Sequence, residues 1–336
     1  KKYSKAGHLF NLHSWAPVSL DADNYSVNPG ATLMSQNMLS TMVTTLSYLY
    51  DLNEETHKVQ FGFDYYGWYP VIRFTADYGG RKTSFIDSEG NNVQVKWRET
   101  NLSLSFSVPL NLTGSKWVKG LSPSVGVDQK FLWMDKNAGY EFKEDRLTSP
   151  VYQLYAYNQH KMSVRDLYPK WGQTVNLIYR HTPWSDSVSS QFALIGYLYF
   201  PGFVNHQGIK IYGGYQKTIT GNYSYSDLVA VPRGYVNLDF PEYFSLRSDY
   251  AFPIAYPDWN VPGAFYLKRI YAKVFYDYLK GYSLKKTTNL SSMGAEAYTD
   301  WNFLSIMVNV RLGGRVSYRI SDTKWQYEFL FGFSAD

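Results

Sequence analysis

Alternation of apolar and polar residues with a period of two is the dominant pattern in this sequence. From 102 to 110, leucine, phenylalanine and valine at every second position alternate mostly with serine. The same alternation recurs at 59–65, 306–312 and 325–333. Because successive side chains of a strand point to opposite faces of a sheet, each of these segments predicts a β-strand with one apolar face.

The pattern predicts sixteen strands and no convincing amphipathic helix. The predicted strands are 7–16, 30–36, 41–51, 57–67, 68–79, 95–110, 117–135, 150–162, 170–182, 190–201, 207–218, 242–254, 264–279, 291–303, 305–319 and 325–334. Turn-forming residues are predicted to separate these strands, for example at Asn28-Pro29-Gly30 and at Gly79-Gly80. Dividing 336 residues by sixteen strands gives 21 residues per strand. That period is long for a soluble sandwich, with turns every 8–12 residues or so, and suits a membrane barrel with long loops on one side.

The polarity of the two faces indicates how the sheet closes. Between the apolar positions stand mainly Ser, Gly, Asn and Gln, which suits a polar lumen inside an apolar outer belt. Aromatic residues make up 18% of the chain, yet the mean hydropathy is −0.35. Clusters such as Tyr65-Tyr66-Gly67-Trp68-Tyr69 fall near predicted strand ends, where membrane barrels carry aromatic girdles. The alternative is a soluble aromatic-rich β protein, such as a carbohydrate-binding sandwich.

Composition argues against several other classes of protein. A run of about 18 apolar residues, which a membrane-spanning helix requires, does not occur. The net charge of +5 is spread along the chain without a basic stripe, so we expect no nucleic-acid partner. The chain has no cysteine, its six histidines are scattered, and it has neither a G-x-S-x-G motif nor a phosphate loop. We therefore expect no enzyme activity, no metal and no cofactor.

One constellation in the C-terminal half is a candidate site. The longest gap between predicted strands in that half, about 219–241, carries Arg233-Gly234-Tyr235 at its middle. Alternation places Asp249 on the lumen side of the twelfth predicted strand, and Phe275 and Asp277 on that side of the thirteenth. If the gap folds back into the lumen, the arginine fork would hold both carboxylates. Inward charges occur in any polar lumen, so the spacing alone is weak evidence for this triad.

These residues resemble the bacterial surface antigen superfamily, which comprises outer-membrane assembly factors of the BamA and TamA type and the transporters of two-partner secretion. The resemblance rests on Arg-Gly-Tyr in the loop, an acidic residue before Phe252-Pro253, and Phe275-x-Asp277. The resemblance covers about 205–336. Before residue 205, only the regular spacing of the predicted strands supports it. Two departures from the family pattern are Pro232, in an aliphatic position, and Asp249, where Glu is usual.

The resemblance implies a fold and a location. It implies an all-β, sixteen-stranded antiparallel transmembrane β-barrel in the outer membrane of a Gram-negative bacterium, which matches the count of strands. Residues 1–336 would form this single barrel domain, with any periplasmic or soluble N-terminal domain outside them. The gap at 219–241 is then loop six, and its Arg233 would contact Asp249 and Asp277 inside the lumen.

The resemblance also implies a function, namely insertion or translocation of proteins. The partners would be outer-membrane lipids and lipopolysaccharide, client outer-membrane or secreted proteins, and accessory lipoproteins. The first and last strands would pair imperfectly at a lateral seam carrying Phe10, Leu12, Phe329 and Phe331. Pro17 supports a short pairing, because it is expected to end the first strand early. The alternatives are a passive or gated pore for small solutes plugged by loop six, and a surface scaffold.

Overall fold

The architecture comes from a computed structural model of the chain. The structure describes residues 12–21, 26–51, 54–86, 92–134, 144–236, 238–283, 286–303 and 309–334. Throughout these segments the regular structure is β-strand, and none of them contains a helix. Consequently these segments contain no helix long and apolar enough to cross a membrane.

Within the described segments, the sheet has eighteen strands. They are β1 (Leu12–Asp21), β2 (Ser26–Gln36), β3 (Met42–Asp51), β4 (Thr56–Tyr65), β5 (Val71–Ile86), β6 (Asn92–Ser107), β7 (Leu110–Asn111), β8 (Trp117–Met134), β9 (Arg146–His160), β10 (Gly172–His181), β11 (Ser190–Pro201), β12 (Gly208–Ile219), β13 (Glu242–Ala255), β14 (Trp259–Val261), β15 (Phe265–Ser283), β16 (Lys286–Phe303), β17 (Asn309–Arg319) and β18 (Lys324–Ser334).

Each long strand pairs antiparallel with the next long strand along the chain, from β1 and β2 through to β17 and β18. The short strands β7 and β14 add two and three residues beside β8 and β15. The predicted all-β antiparallel class is confirmed, and the other sixteen strands correspond to the sixteen predicted. No ladder joins β1 to β18 within the described residues, so sixteen-strand closure stays a prediction.

Three local predictions were wrong. Strand β1 does not end at Pro17, because it continues to Asp21 with a bulge between Ala16 and Val18. A bulged residue needs no ladder hydrogen bond, so the missing N–H of proline is tolerated there. Gly79-Gly80 lies inside β5 opposite β6, and Asn28-Pro29-Gly30 lies inside β2, so neither forms the predicted turn. In each case pairing with the neighbouring strand outweighs the local turn preference.

The two faces of the sheet differ in what they contact. The connection 220–241 between β12 and β13, which we call loop six, lies against one face, the inner face. It touches strands from β8, at Lys130, to β17, at Arg319, so the sheet curls around it. Its apolar contacts form a small core of Ala193, Tyr212, Val229, Tyr243 and Leu279.

The ends of the sheet are also distinct. The connections 161–171, 202–207 and 256–264 lie where β1 begins and β18 ends, and we call this the terminal end. Loop six enters from the opposite end, which we call the loop-six end.

Candidate functional site

The tip of loop six is a tight turn that only glycine fits well. The Tyr235 N–H donates to the Pro232 carbonyl at 3.2 Å. Between them Gly234 has φ of +87°, in the left-handed region that disfavours residues with a Cβ. A Cβ there would also lie 2.9 Å from the Ser317 hydroxyl oxygen on β17. The turn thus presses the backbone against the inner face and projects Arg233 beside it.

Arg233 is the centre of a buried ionic network on β13, β15 and β16. Its Nε and Nη2 donate to the two oxygens of Asp277 at 2.8 and 2.6 Å, a bidentate pair. Nη2 also donates to Asp249 at 2.6 Å, and Nη1 to Glu296 at 3.2 Å. The backbone N–H of Arg233 donates to Asp277 at 2.9 Å as well. Arg233 is 6% exposed and Asp277 is fully buried, so these charges interact with little screening by water.

Aromatic rings complete the packing around the tip. The guanidinium carbon of Arg233 lies 3.7 Å from the centre of the Phe275 ring, a cation–π contact. On the other side, the Tyr235 hydroxyl donates to the Ser291 carbonyl at 3.1 Å. The guanidinium carbon of Arg319 lies 4.9 Å from the centre of the Tyr235 ring. The tip is therefore held from β15 on one side and from β16 and β17 on the other.

The structure brings together all six residues predicted for the contact between loop six and the lumen: Arg233, Gly234, Tyr235, Asp249, Phe275 and Asp277. Sequence reasoning missed Glu296, the third carboxylate. Alternation along β16 places Glu296 on the inner face. There it lies opposite Lys273 in the β15–β16 ladder. Alternation alone does not distinguish Glu296 from the other inward-facing charges of the sheet.

Four further cations surround this network, and none of them was among the residues predicted for the site. Lys210 contacts Asp249 at 3.0 Å, and Arg315 contacts Glu296 at 2.7 Å. Lys273 lies 3.8 Å from Glu296, and Arg247 lies 3.6 Å from Asp277. The inner face here therefore carries more positive than negative charge. No group of His, Asp and Glu within the described residues could hold a metal ion.

The arm of loop six that leads to the tip is fixed to successive strands by hydrogen bonds. Arg180 on β10 and Gln191 on β11 both donate to the Ser226 carbonyl, at 2.6 and 3.2 Å. Gln216 on β12 accepts from the Leu228 and Val229 N–H groups at 2.8 and 3.2 Å. Because each contact comes from a different strand, the arm crosses the inner face rather than projecting into solvent.

A polar cavity of about 840 Å³ lies beside this arm, along the inner faces of strands from β3 to β10. Loop six forms one of its walls, from Tyr223 to Leu228. Its charged lining residues are Asp51, Glu54, Lys58, Asp77, Arg81, Glu99, Asp128, Lys130, Arg180 and Asp227. A space lined by so many charges favours water or a polar solute over an apolar ligand.

The four residues predicted for the seam have different outcomes. Phe10 lies outside the described residues, and of Leu12 the structure describes the backbone, which pairs with Ser35 on β2. Phe329 and Phe331 lie on the outer face of β18 and are 76% and 56% exposed. No β-ladder between β1 and β18 is present among the described residues, so the seam stays a prediction.

Comparison with known proteins gives matches in fold. No family model matches the sequence, and no curated protein matches it. The structure is similar to BamA from Haemophilus ducreyi lacking POTRA domains 1–3, with a TM-score of 0.58 and 13% identity, over 92% of this chain and 68% of that one. It is similar to CdiB from Escherichia coli, with a TM-score of 0.60, 11% identity and coverage of 91% and 58%. For CdiB from Acinetobacter baumannii the TM-score is 0.56, the identity 11% and the coverage 96% and 59%.

The chain thus spans less than two thirds of either CdiB chain, and about two thirds of the BamA chain. At these identities the likeness concerns the fold. It agrees, at the level of the fold, with the barrel that the sequence resemblance implied. The chain has the β-barrel fold of BamA and CdiB.

Proposed function

We propose that this chain is the membrane barrel of an outer-membrane factor that inserts or translocates proteins, and that it is not an enzyme. The observation that carries the proposal is the buried network of Arg233 at the tip of loop six, inside a fold similar to BamA and CdiB. The membrane would be that of a Gram-negative bacterium. Its lipids and lipopolysaccharide, client proteins and accessory lipoproteins would be the partners.

Placement in a membrane is supported by the outer face. Side chains there are apolar or aromatic and well exposed even on strands inside the sheet, such as Val274 at 46%, Tyr276 at 46% and Met293 at 47%. An apolar belt of this kind outside a polar inner face is the arrangement of a transmembrane barrel. In the proposed barrel, β18 pairs with β1 to close sixteen long strands.

We propose that the loop-six lock, formed by Arg233, Gly234, Tyr235, Asp249, Phe275 and Asp277, keeps loop six inside the barrel. Burying an arginine beside three carboxylates is favourable only if its hydrogen bonds are satisfied. Here four side-chain hydrogen bonds satisfy the Arg233 guanidinium. Because these bonds form in one arrangement, the charges fix the position of the tip of loop six. A loop retained in this way would hold β13 to β17 in place, while the strands on the opposite side of the barrel would stay free to move.

The edges of the sheet are the proposed point of action. Phe329 on β18 is 76% exposed, well above the 46–47% of Val274, Tyr276 and Met293 on the outer face inside the sheet. An edge strand presents unpaired backbone groups on which a client strand could add. The lateral seam between β1 and β18, carrying Phe10, Leu12, Phe329 and Phe331, would open or template clients in this way.

A disulfide across the seam tests this proposal. The chain has no cysteine, so Phe10→Cys with Phe331→Cys creates a single pair. The matched control is Ala297→Cys with Gly314→Cys, which lie opposite each other inside the β16–β17 ladder. Each protein would be reconstituted in lipid vesicles and given a denatured eight-stranded outer-membrane barrel as the client. Folding of the client would be followed by its heat-dependent electrophoretic mobility.

We expect the oxidised seam pair to abolish the assistance given to the client, and reduction to restore it. The control pair should leave assistance unchanged in both states. Undiminished client folding with the seam verifiably oxidised would overturn the seam mechanism.

A second candidate function, a gated pore for small solutes, is favoured by the polar cavity of about 840 Å³. Conductance in planar bilayers separates the two candidates. Large, steady currents that discriminate among solutes favour the pore, whereas small and irregular currents favour the assembly factor.

A further inference from the structure

The connection 161–171, at the terminal end, folds inward and approaches the loop-six lock from the side opposite loop six. Its Tyr168 lies on the inner face among cations and aromatic rings. The ammonium nitrogens of Lys210 and Lys273 lie 5.2 and 5.8 Å from the centre of its ring. The ring of Tyr199 packs at 6.0 Å. Burial, followed by the charge of Asp249, raises the pKa of the Tyr168 hydroxyl well above its usual value, so it remains protonated.

The connection is fastened to its neighbours at the terminal end. The Asp166 carboxylate accepts from the Ser163 N–H at 2.9 Å and contacts the His206 ring at 2.9 Å. Burial opposes ionisation of Asp166, but these two contacts lower its pKa below the usual value. The Tyr256 hydroxyl donates to the Arg165 carbonyl at 3.0 Å. The connection thus has a defined position rather than a loose one.

The connection and loop six meet at one carboxylate. Oδ1 of Asp249 accepts from Arg233 at 2.6 Å. Oδ2 of the same group contacts Lys210 at 3.0 Å and accepts from the Tyr168 hydroxyl at 3.5 Å, the long limit of a hydrogen bond. Asp249 is 5% exposed, so few alternative partners are available to it. Whatever fixes Oδ2 also fixes the direction of Oδ1 toward Arg233.

We propose that Tyr168 is a positioning residue for the loop-six lock. Its ring holds Lys210 against Asp249 and fills the space behind the carboxylate, so that Asp249 remains aimed at Arg233. The connection at the terminal end thereby controls how firmly loop six is retained at the other end. The inference rests on the proposed retention of loop six by Arg233.

A spin label on loop six tests it. Val236 is 68% exposed, so Val236→Cys introduces a unique label site that is not part of the packed network. Electron paramagnetic resonance in detergent micelles then gives the ratio of mobile to immobile label. Tyr168→Ala should raise this ratio about fivefold, as expected from the loss of one contact comparable to a hydrogen bond. Tyr168→Phe, which keeps the ring, should leave the ratio nearly unchanged.

The control on the same connection is Val164→Ala, since Val164 is 79% exposed and its truncation should not affect the label. Folding of every variant is checked by heat-dependent electrophoretic mobility. If Tyr168→Ala does not fold, Tyr168→Leu replaces it and should raise the ratio in the same direction.

The outcomes separate this inference from the proposed function. If Arg233→Ala does not mobilise the label, the retention of loop six itself is wrong. If Arg233→Ala mobilises the label and neither Tyr168→Ala nor Tyr168→Leu does so in folded protein, the role of Tyr168 is overturned while the lock stands.

Discussion

Removal of the Arg233 side chain is the most informative perturbation of the loop-six lock. Arg233→Ala deletes four side-chain hydrogen bonds to three buried carboxylates. The cost depends on how many of those carboxylates keep another cation. Asp249 keeps Lys210 at 3.0 Å, and Glu296 keeps Arg315 at 2.7 Å.

Asp277 is the carboxylate that loses most, because it keeps only the backbone N–H of residue 233, at 2.9 Å, and one more distant cation. Its other described ion-pair partner is Arg247, at 3.6 Å, and its side chain is fully buried. Breaking a buried pair by removing one partner costs about 3–5 kcal/mol. Because two of the three carboxylates remain compensated, we expect Arg233→Ala to cost about 3 kcal/mol, the low end of that range. Most of this cost should be the stranded charge of Asp277.

A double-mutant cycle checks this reasoning. In an Asp277→Asn background no charge is stranded, so Arg233→Ala should cost only about 1 kcal/mol, a coupling of about 2 kcal/mol. In a Glu296→Gln background, Arg233→Ala should cost nearly as much as in the unmodified protein. The free energy of unfolding would be measured by denaturant titration in detergent micelles, with tryptophan fluorescence as the signal. Additive costs of Arg233→Ala and Asp277→Asn would refute the reasoning.

Three further predictions concern other parts of the structure. Gly234→Ala should destabilise the protein by about 1 kcal/mol or more, because φ is +87° and a Cβ would crowd β17; Gly314→Ala, with open space around its Cβ, is the near-neutral control in the same titration. Tyr243→Phe should cost about 1 kcal/mol in that titration, because its buried hydroxyl donates to the Val229 carbonyl at 2.8 Å. Asp166 has a lowered pKa, so its contribution to holding the connection 161–171 is present above about pH 4 and is lost as the pH falls through its folded pKa. A spin label on that connection should therefore become mobile in acid, and Asp166→Asn should make it mobile already at pH 7.

Much of the candidate site was accessible from the sequence, because alternation along a strand is a local property. It placed Asp249 and Asp277 on one face, and the Arg-Gly-Tyr turn in a long gap supplied the third component. Glu296 and Lys210 satisfy the same alternation, but so does every inward charge of the sheet. Only the folded path of loop six selects, among those charges, the few that Arg233 reaches.

The sequence by itself determined that the protein is built of β-strands with one apolar face, since a period of two over sixteen segments leaves no other regular structure. The positions of these strands follow from the same pattern. It did not determine that β1 passes through Pro17 or that β5 passes through Gly79-Gly80, because pairing with a neighbouring strand decides both.

The tertiary structure alone decided where loop six and the connection 161–171 meet. Loop six and the connection 161–171 are separated in sequence and enter from opposite ends, yet both reach the carboxylate of Asp249. Contacts of this kind depend on the curl of the sheet and on the register of every strand between them. No local pattern encodes them, because each depends on the summed geometry of the whole fold.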